Sequence, residues 1–253
     1  MIHLNKKAIC AALVALVFPA MMRAADITPA SIKAKGMLTV ATSSGAFPFE
    51  MTDKHGQFIG FDIDLARAIA KDLGVRIEFQ NYPFSGLIPA LVSNKVDFAA
   101  ACVTATEKRK EVLDFSSPYY LSGQALLVNS GTPNIKQWQD LDKDGMVIGV
   151  SLGTTADLVA TQSFKKATIK RYDGNALARM DVLNGKANAL VNEPPAVGIF
   201  QKLHPKETYA VLKPFTTEEI CLAVPKGNPE LVKYLNKFLK KYMKSAEFKK
   251  GYH

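Results

Sequence analysis

The sequence predicts an α/β fold of two lobes with a ligand cleft between them, and three observations support this. A β-α-β-α-β pattern runs over residues 38–103 and repeats over residues 146–192. Short stretches of the two halves resemble each other, SNKVDFAAA in the first and LNGKANALV in the second. Two extended segments, SSPYYLSGQALLV and KPFTTEEICLAVPKG, connect the halves. Because parallel sheets bind ligands beyond the carboxyl ends of their strands, two such sheets face to face predict a cleft between those ends.

The first half is predicted to alternate strands and helices. The strands are expected over residues 38–41, 76–80 and 98–103. Asp62 is predicted to cap the first helix, and Gly74 to end it in the left-handed conformation that closes many helices. Ser85 is predicted to cap the second helix. The buried faces of these two helices are expected to be Leu65, Ile69 and Leu73, and Leu87, Ile88, Leu91 and Val92.

The second half is predicted to repeat this order. Its strands are expected over residues 146–150, 168–172 and 187–192, and its helices over residues 154–164 and 175–183. Two chain crossings then make the first lobe discontinuous and form a two-segment hinge. We predict residues 26–118 with 216–253 as lobe 1 and residues 119–215 as lobe 2, with a last helix over 228–248 packed on lobe 1.

A cluster of cations follows the apolar strand 98–103. Thr106 is predicted to cap a short helix that begins at Glu107, and Lys108, Arg109 and Lys110 then lie in its first turn, where the helix dipole favours anions. Free backbone N–H groups and a planar guanidinium together make a carboxylate or phosphate site. A solvated basic turn is the alternative interpretation.

The run TATEKRKEVLDFSSPY, residues 104–119, resembles the signature T-x-T-x-x-R-x-x-x-x-D-F-S-x-P-Y of bacterial family 3 solute-binding proteins. GFDIDLARAIA, residues 60–70, and FSGLIPAL, residues 84–91, fit the same family. The resemblance covers nearly the whole chain after residue 25. It implies a periplasmic-binding-protein-like fold of type II and the function of a periplasmic receptor for an amino-acid ABC importer. It also implies that Arg109 grips the α-carboxylate of the ligand.

The resemblance implies further ligand contacts in both lobes. In lobe 1 these are Thr104 and the backbone of Cys102. In lobe 2, Thr154 of the SLGTT loop contacts the carboxylate, and Glu193 pairs with the α-ammonium where the family usually has Asp. Phe84 matches an aromatic residue that packs on the ligand, although a core phenylalanine is an equal alternative.

The choice of ligand side chain is expected to depend on the loop after the first strand. Ser43 stands where receptors for basic amino acids have an acid, and Ala46 stands where they have a stacking aromatic ring, for which Phe47 could substitute. We therefore predict an L-amino acid with a neutral side chain, polar or modestly apolar, rather than lysine or arginine.

The first residues have the three parts of an export signal. Lys6 and Lys7 precede an apolar stretch at residues 8–18 and small residues at 20–25, and this stretch is too short for a permanent membrane span. Removing residues 1–25, which carry three cations and no acid, lowers the formal charge from +9 to +6. We expect a periplasmic monomer that docks transiently on an inner-membrane ABC permease. The remaining basic charge is interpreted as a solvated face, because export makes a nucleic-acid partner improbable.

An enzyme is the main alternative, because some proteins that resemble this family are periplasmic dehydratases of cyclohexadienyl acids. Glu193 beside a ligand could act as a general acid. The histidines have no metal-ligand spacing, and no nucleophile–base pair is evident, so we predict no enzyme, no cofactor and no metal. A sensory module with a separate membrane partner is a third possibility. Cys102 and Cys221 lie in apolar, strand-like runs, and a disulfide between them is left open.

Overall fold

The protein was analysed as a computed structural model that describes residues 26–246, 248 and 249. The predicted export signal therefore lies outside the described residues. The first elements in chain order are α1 Pro29–Lys35, β1 Met37–Thr42, β2 Met51–Thr52, β3 Phe58–Ile59, α2 Phe61–Leu73, β4 Arg76–Asn81, α3 Phe84–Val92, β5 Phe98–Thr104, α4 Glu107–Lys110, β6 Leu113–Phe115 and β7 Tyr120–Ser122. They are followed by β8 Ala125–Asn129, a 3₁₀ turn Trp138–Leu141, β9 Val147–Ser151, α5 Thr155–Ser163, β10 Thr168–Tyr172, α6 Asn175–Leu183, β11 Ala189–Asn192, α7 Pro194–Leu203, β12 Thr208–Val211, β13 Glu218–Pro225 and α8 Pro229–Tyr242.

Two large sheets carry these elements. The first has the strand order β4-β1-β5-β13-β6, with β7 also paired to β13, and the second has the order β10-β9-β11-β8-β12. β1 is parallel to β4 and β5, and β9 is parallel to β10 and β11, so each sheet contains the predicted β-α-β-α-β unit. The two-lobed α/β fold is confirmed.

The first lobe buries apolar side chains on both faces of its sheet. On one face, α2 and α8 cover β1 and β5, and Leu231, Leu235 and Leu239 of α8 join this core. On the other face, α3 packs on the alternate residues of the same strands. A fully buried leucine contributes roughly 1.5–3 kcal/mol, so these three positions fix α8 on the first lobe, as predicted.

Three of the predicted helix details are wrong. The N-cap of α2 is Gly60, and Asp62 lies in the first turn with its side chain fully buried. The N-cap of α3 is Pro83, so Ser85 also lies inside the first turn. Val92 is 54% exposed, because the buried positions of α3 follow the i, i+3, i+4 spacing of Leu87, Ala90 and Leu91.

The two crossing segments lie side by side between the lobes. The backbone N–H of Gln124 donates to the Thr216 hydroxyl over 2.8 Å, and the N–H of Phe215 donates to the Gln124 carbonyl over 2.9 Å. A Cβ on Gly123 would lie 2.1 Å from the Thr216 carbonyl oxygen, so only glycine allows this approach. Because β7 pairs with β13, the first sheet continues past residue 118 as far as Ser122.

The two described cysteines do not form a disulfide. Cys102 and Cys221 are both free and buried. Cys221 pairs in register with Val103, and side chains alternate along a strand, so Cys102 and Cys221 lie on different faces of the sheet.

Within the residues that the structure describes, no helix has both the length and the apolar character that a membrane span requires.

Candidate binding cleft

A cavity of about 240 Å³ lies between the lobes. Its walls are the carboxyl ends of β1, β4, β9, β10 and β11 with the segments that follow them, together with Ala101 and Cys102 within β5. All of these strands end at the cleft, because each belongs to a parallel pair whose carboxyl ends share an edge. This is the place where the repeated pattern predicts a ligand.

Most of the predicted site residues border this cavity. The lining includes Ser43, Phe84, Cys102, Thr154 and Glu193. Arg109 and Thr104 do not line the cavity themselves but contact residues that do: Arg109 lies over the ring of Phe84, and the Thr104 hydroxyl lies 3.4 Å from that of Thr155. Phe47 is not part of the lining, and its neighbour Ala46 is, so no aromatic ring from this loop replaces the one that Ala46 lacks.

Arg109 connects the two lobes. Thr106 caps α4 as predicted, with its hydroxyl accepting the Arg109 backbone N–H over 3.3 Å. The Arg109 side chain donates to the Thr104 carbonyl over 2.9 Å and, across the cleft, to the Gly153 carbonyl over 3.0 Å. Its Cζ lies 5.2 Å from the ring centroid of Phe84, which fits a cation–π contact.

Arg109 is not part of a solvated basic turn. It is 5% exposed, whereas Lys108 and Lys110 on the same turn are exposed. Burial lowers the pKa of Arg109, and the nearby Glu218 acts in the opposite direction. A guanidinium has five N–H donors, so two bonds to carbonyls leave donors for an anion.

Glu193 supplies negative charge from the second lobe. It follows β11 and is the N-cap residue of α7. Burial raises the pKa of Glu193 to about 7, with a further increase from Glu218, while its own backbone N–H, Gln124 and Arg109 lower it. The carboxyl group therefore changes charge near neutral pH in the ligand-free cleft.

A buried carboxylate at the hinge was not predicted as a site residue. Glu218 of β13 is 6% exposed and lies behind the cavity. Its Oε2 accepts from the hydroxyls of Thr104 (2.8 Å) and Thr155 (2.6 Å), one from each lobe. Its Oε1 accepts from Gln124 (2.9 Å) and Thr216 (2.9 Å), one from each crossing segment. A single side chain thus joins both lobes and both hinge segments.

Four further residues that line the cavity were not predicted as site residues. Asn81 is the last residue of β4 and Tyr82 follows it, while Asp173 follows β10 and Asn175 begins α6. All four lie at or just beyond the carboxyl end of a parallel strand, and that position is the sequence signal that could have found them. Asp173 matters most, since it is a second carboxylate on the cavity wall and is exposed.

Among the described residues, no group of three or more His, Cys, Asp or Glu side chains is arranged to hold a metal ion.

Two α/β lobes around a small polar cavity define a periplasmic-binding-protein-like molecule of type II, and comparisons with known proteins agree. The family model for bacterial extracellular solute-binding proteins, family 3, matches residues 38–253. The chain belongs to this family.

Similar curated proteins bind amino acids. A protein of Neisseria gonorrhoeae named "Probable histidine-binding protein" is 34% identical over 217 residues, covering 84% of this chain and 80% of the relative. The L-cystine-binding protein TcyJ of Escherichia coli K12 is 30% identical over 207 residues, covering 81% and 77%. The ABC transporter glutamine-binding protein GlnH of Bacillus subtilis is 31% identical over 201 residues, covering 78% and 72%.

A similar solved structure is the ancestral amino-acid-binding protein AncCDT-1, described as a precursor of cyclohexadienyl dehydratase. It matches with a TM-score of 0.84 and 39% identity, covering 88% of this chain and 97% of that chain.

Proposed function

We propose that this protein is the substrate-binding component of an amino-acid ABC importer, which captures an L-amino acid as its lobes close and delivers it to a membrane permease. The observation that supports this best is the arrangement of charge. Arg109 from the first lobe and Glu193 from the second adjoin one small cavity. An α-amino acid carries the complementary pair, a carboxylate and an ammonium group.

The proposed mechanism uses both lobes at once. The carboxylate binds the free donors of Arg109 and the loop at Thr154, and the ammonium binds Glu193 and the acceptors at Cys102 and Thr104. The Thr104 hydroxyl already donates to Glu218, so its remaining lone pairs can only accept. Closure excludes water from the cleft and strengthens each charged contact.

The ligand side chain is proposed to be neutral and to donate hydrogen bonds. Ser43 and Ala46 provide neither an acid nor an aromatic ring, which favours a neutral group. Asp173 and Glu193 make the cavity wall acidic, which disfavours an acidic ligand and favours a donor. A carboxamide or an imidazole satisfies both conditions, and relatives named for glutamine and histidine support this choice.

The location and partners follow from the same proposal. The family is extracellular or periplasmic, and the signal-like residues 1–25 support export to the periplasm. There we propose that a monomer docks transiently on the permease.

A second candidate is the dehydration of a cyclohexadienyl acid in the same cleft. The pKa of Glu193 near 7 suits a general acid, and the precursor relationship of AncCDT-1 points to the same chemistry. In this reaction Glu193 would protonate the leaving hydroxyl, and the carboxylate would leave as CO₂ together with water, its bonding electrons completing the aromatic ring. Ultraviolet absorbance would monitor the aromatic product. The named curated relatives are binding proteins, which favours the first proposal.

Thermal unfolding with a panel of L-amino acids tests the proposal. Ligand-free mature protein is prepared by unfolding and refolding, and a ligand that binds only the native state raises Tm. We expect a shift with one or a few neutral polar amino acids. Arg109→Ala should abolish the shift, whereas Lys108→Ala, an exposed cation on the same turn, should retain it. No shift with any amino acid, together with turnover of a cyclohexadienyl acid, would favour the second candidate.

A further inference from the structure

We propose that Asp62 is a positioning residue of the cleft: without touching the ligand, it holds the backbone of Cys102 in the left-handed conformation that shapes the cavity wall. This inference rests on the proposed function of the cleft. It also assigns a role to Asp62, which is not a helix cap.

Asp62 uses both carboxylate oxygens behind the cavity. Its side chain is fully buried in the first turn of α2. Oδ2 accepts the backbone N–H of Cys102 over 2.6 Å, and Oδ1 accepts the hydroxyl of Tyr119 over 2.8 Å. Tyr119 is itself 2% exposed, so it holds the carboxylate in one orientation.

Cys102 has a backbone conformation that residues with a Cβ rarely adopt. Its φ is +49°, in the middle of a buried strand whose other residues are extended. The left-handed conformation is unfavourable for a cysteine, as for most residues other than glycine, asparagine and aspartate, so it needs a compensating contact. The short bond to Asp62 is that contact, because it is made to the N–H of the same residue.

This conformation affects the cavity directly, since Ala101 and Cys102 both line it. In a planar trans peptide the N–H and the preceding C=O point in opposite directions. When Asp62 holds the Cys102 N–H on the core side, the Ala101 carbonyl oxygen points away from Asp62. An acceptor fixed in that direction suits an ammonium group in the cleft.

The carboxylate is a suitable anchor at neutral pH. Burial raises the pKa of Asp62 to about 6, and the bonds from Cys102 and Tyr119 lower it. The N-terminal end of α2 also favours a negative charge at this position. Glu50 lies nearby and is fully buried, and neither of its carboxyl oxygens has a hydrogen-bond partner among the described residues.

The same contact links two of the sequence motifs that resemble the family. Asp62 belongs to GFDIDLARAIA, residues 60–70, and Tyr119 to TATEKRKEVLDFSSPY, residues 104–119, which also contains Arg109. The bond between Asp62 and Tyr119 joins them behind Cys102, so each motif contributes to the shape of the cavity from the core side.

The test combines variants of Asp62 and Cys102 in the mature chain, with L-glutamine, L-histidine and L-arginine as calorimetric probes. Asp62→Ala should weaken the binding of each probe that the wild type binds by about tenfold, as expected for loss of one backbone restraint. Adding Cys102→Gly to Asp62→Ala should restore most of the affinity, because glycine adopts φ > 0 freely. Adding Cys102→Ala instead should not, although it also removes the thiol. Asp62→Asn keeps an oxygen for the Cys102 N–H and should bind within about threefold of wild type.

Three results would overturn the proposal. One is a folded Asp62→Ala protein with wild-type affinity, and another is a double variant with glycine that binds no better than the one with alanine. The third comes from hydrogen exchange of the Cys102 backbone amide, measured on the protein with no amino-acid ligand added. Hydrogen exchange of the Cys102 amide should be slow in the wild type and in Asp62→Asn and faster in Asp62→Ala. Equal protection in all three overturns the positioning role. Absence of binding by the wild type to any amino acid would instead overturn the proposed function.

Discussion

The charge of Glu193 in the cleft should change with pH in the neutral range. Its pKa in the ligand-free protein is about 7, because burial disfavours the charged form. Only the carboxylate attracts an ammonium group, so affinity for an amino acid should increase as pH rises from about 6 to about 8, by up to tenfold per pH unit below the pKa. Calorimetric titration at a series of pH values measures this dependence.

Glu193→Gln is the control for that pH series. The amide cannot ionise, so its binding should be weaker and independent of pH over the same range. If wild type and Glu193→Gln show the same pH dependence, another group, such as Asp62, is responsible.

Glu50 predicts an effect of pH on stability rather than on binding. Its pKa in the folded protein is well above 4.5, chiefly because burial removes the hydration of the carboxylate, and the charges of Asp62 and Glu193 add to the increase. From about pH 4.5 upward the folded state therefore binds more protons than the unfolded state, and stability falls as pH rises toward the folded-state pKa. Glu50→Gln should raise Tm at about pH 8 and change it little at about pH 5. A similar change in Tm at both values would contradict this.

At the scale of single residues, the sequence predicts a role when the partners of that residue are its near neighbours in the chain. Thr106 caps α4 as predicted, because a cap needs only its own neighbours in the chain. The roles of Arg109 and Glu193 were predicted from the resemblance to family 3 solute-binding proteins and stay predictions; in the structure Glu193 lines the cavity and Arg109 lies against Phe84 of its wall. The roles of Asp62 and Glu218 could not be predicted, since all of their side-chain hydrogen-bond partners except Thr216 lie 40 to 114 residues away in the chain.

At the scale of elements, β13 carries the contact that joins the lobes. Glu218 accepts four hydrogen bonds while almost fully buried. Glu218→Gln replaces one acceptor oxygen with a donor, which then faces hydroxyl or amide donors. We expect the free energy of unfolding to fall by about 2–4 kcal/mol in denaturant titrations.

The neighbouring residue offers a matched control. Glu219 is exposed on the same strand, so Glu219→Gln removes the same charge and should change the free energy of unfolding by no more than about 0.5 kcal/mol. Equal effects of the two substitutions would show that the hydrogen bonds of Glu218 do not stabilise the hinge.

Strands were easier to predict than helix ends. The buried parallel strand β5 is a continuous apolar run, and its predicted bounds differ from the observed ones by one residue. The bounds of β10 also agree with the prediction, although most of its residues are not buried. A helix start depends on which of several polar residues has the capping geometry, and Asp62 and Ser85 are both plausible from the sequence alone. In the structure the chain enters α2 through Gly60, whose φ of +123° accompanies a close approach to the Phe49 carbonyl.

At the scale of the whole molecule, the lobes meet directly across the cleft. Arg109 reaches the Gly153 carbonyl, and Thr155 reaches Glu218 on the hinge strand. The internal repeat predicted two lobes, but the repeat contains no information on how closely they approach each other. That distance depends on side chains from different halves and can be measured only in the structure.

The approach of Ser85 to Gly153 allows closure to be tested by a crosslink. A Cβ built on Gly153 lies 3.5 Å from the Cβ of Ser85 on the opposite lobe, at the short end of the range for disulfides. We expect Ser85→Cys combined with Gly153→Cys to form a bond that locks the lobes together. Because a covalent bond between the lobes prevents their separation, release of a bound radiolabelled amino acid should slow by about 100-fold or more, and reduction should restore it.

Two features of the chain decide how this crosslink is controlled. Gly153 has φ +78°, so the cysteine itself introduces backbone strain, and the single variant Gly153→Cys must be measured alongside. The native Cys102 and Cys221 are buried, and burial raises the pKa of both thiols, which makes them poor competitors for the new bond. If the oxidised double variant released the amino acid as fast as its reduced form, opening of the lobes would not be needed for release. The cleft would then exchange its ligand by a route in which positions 85 and 153 stay in contact.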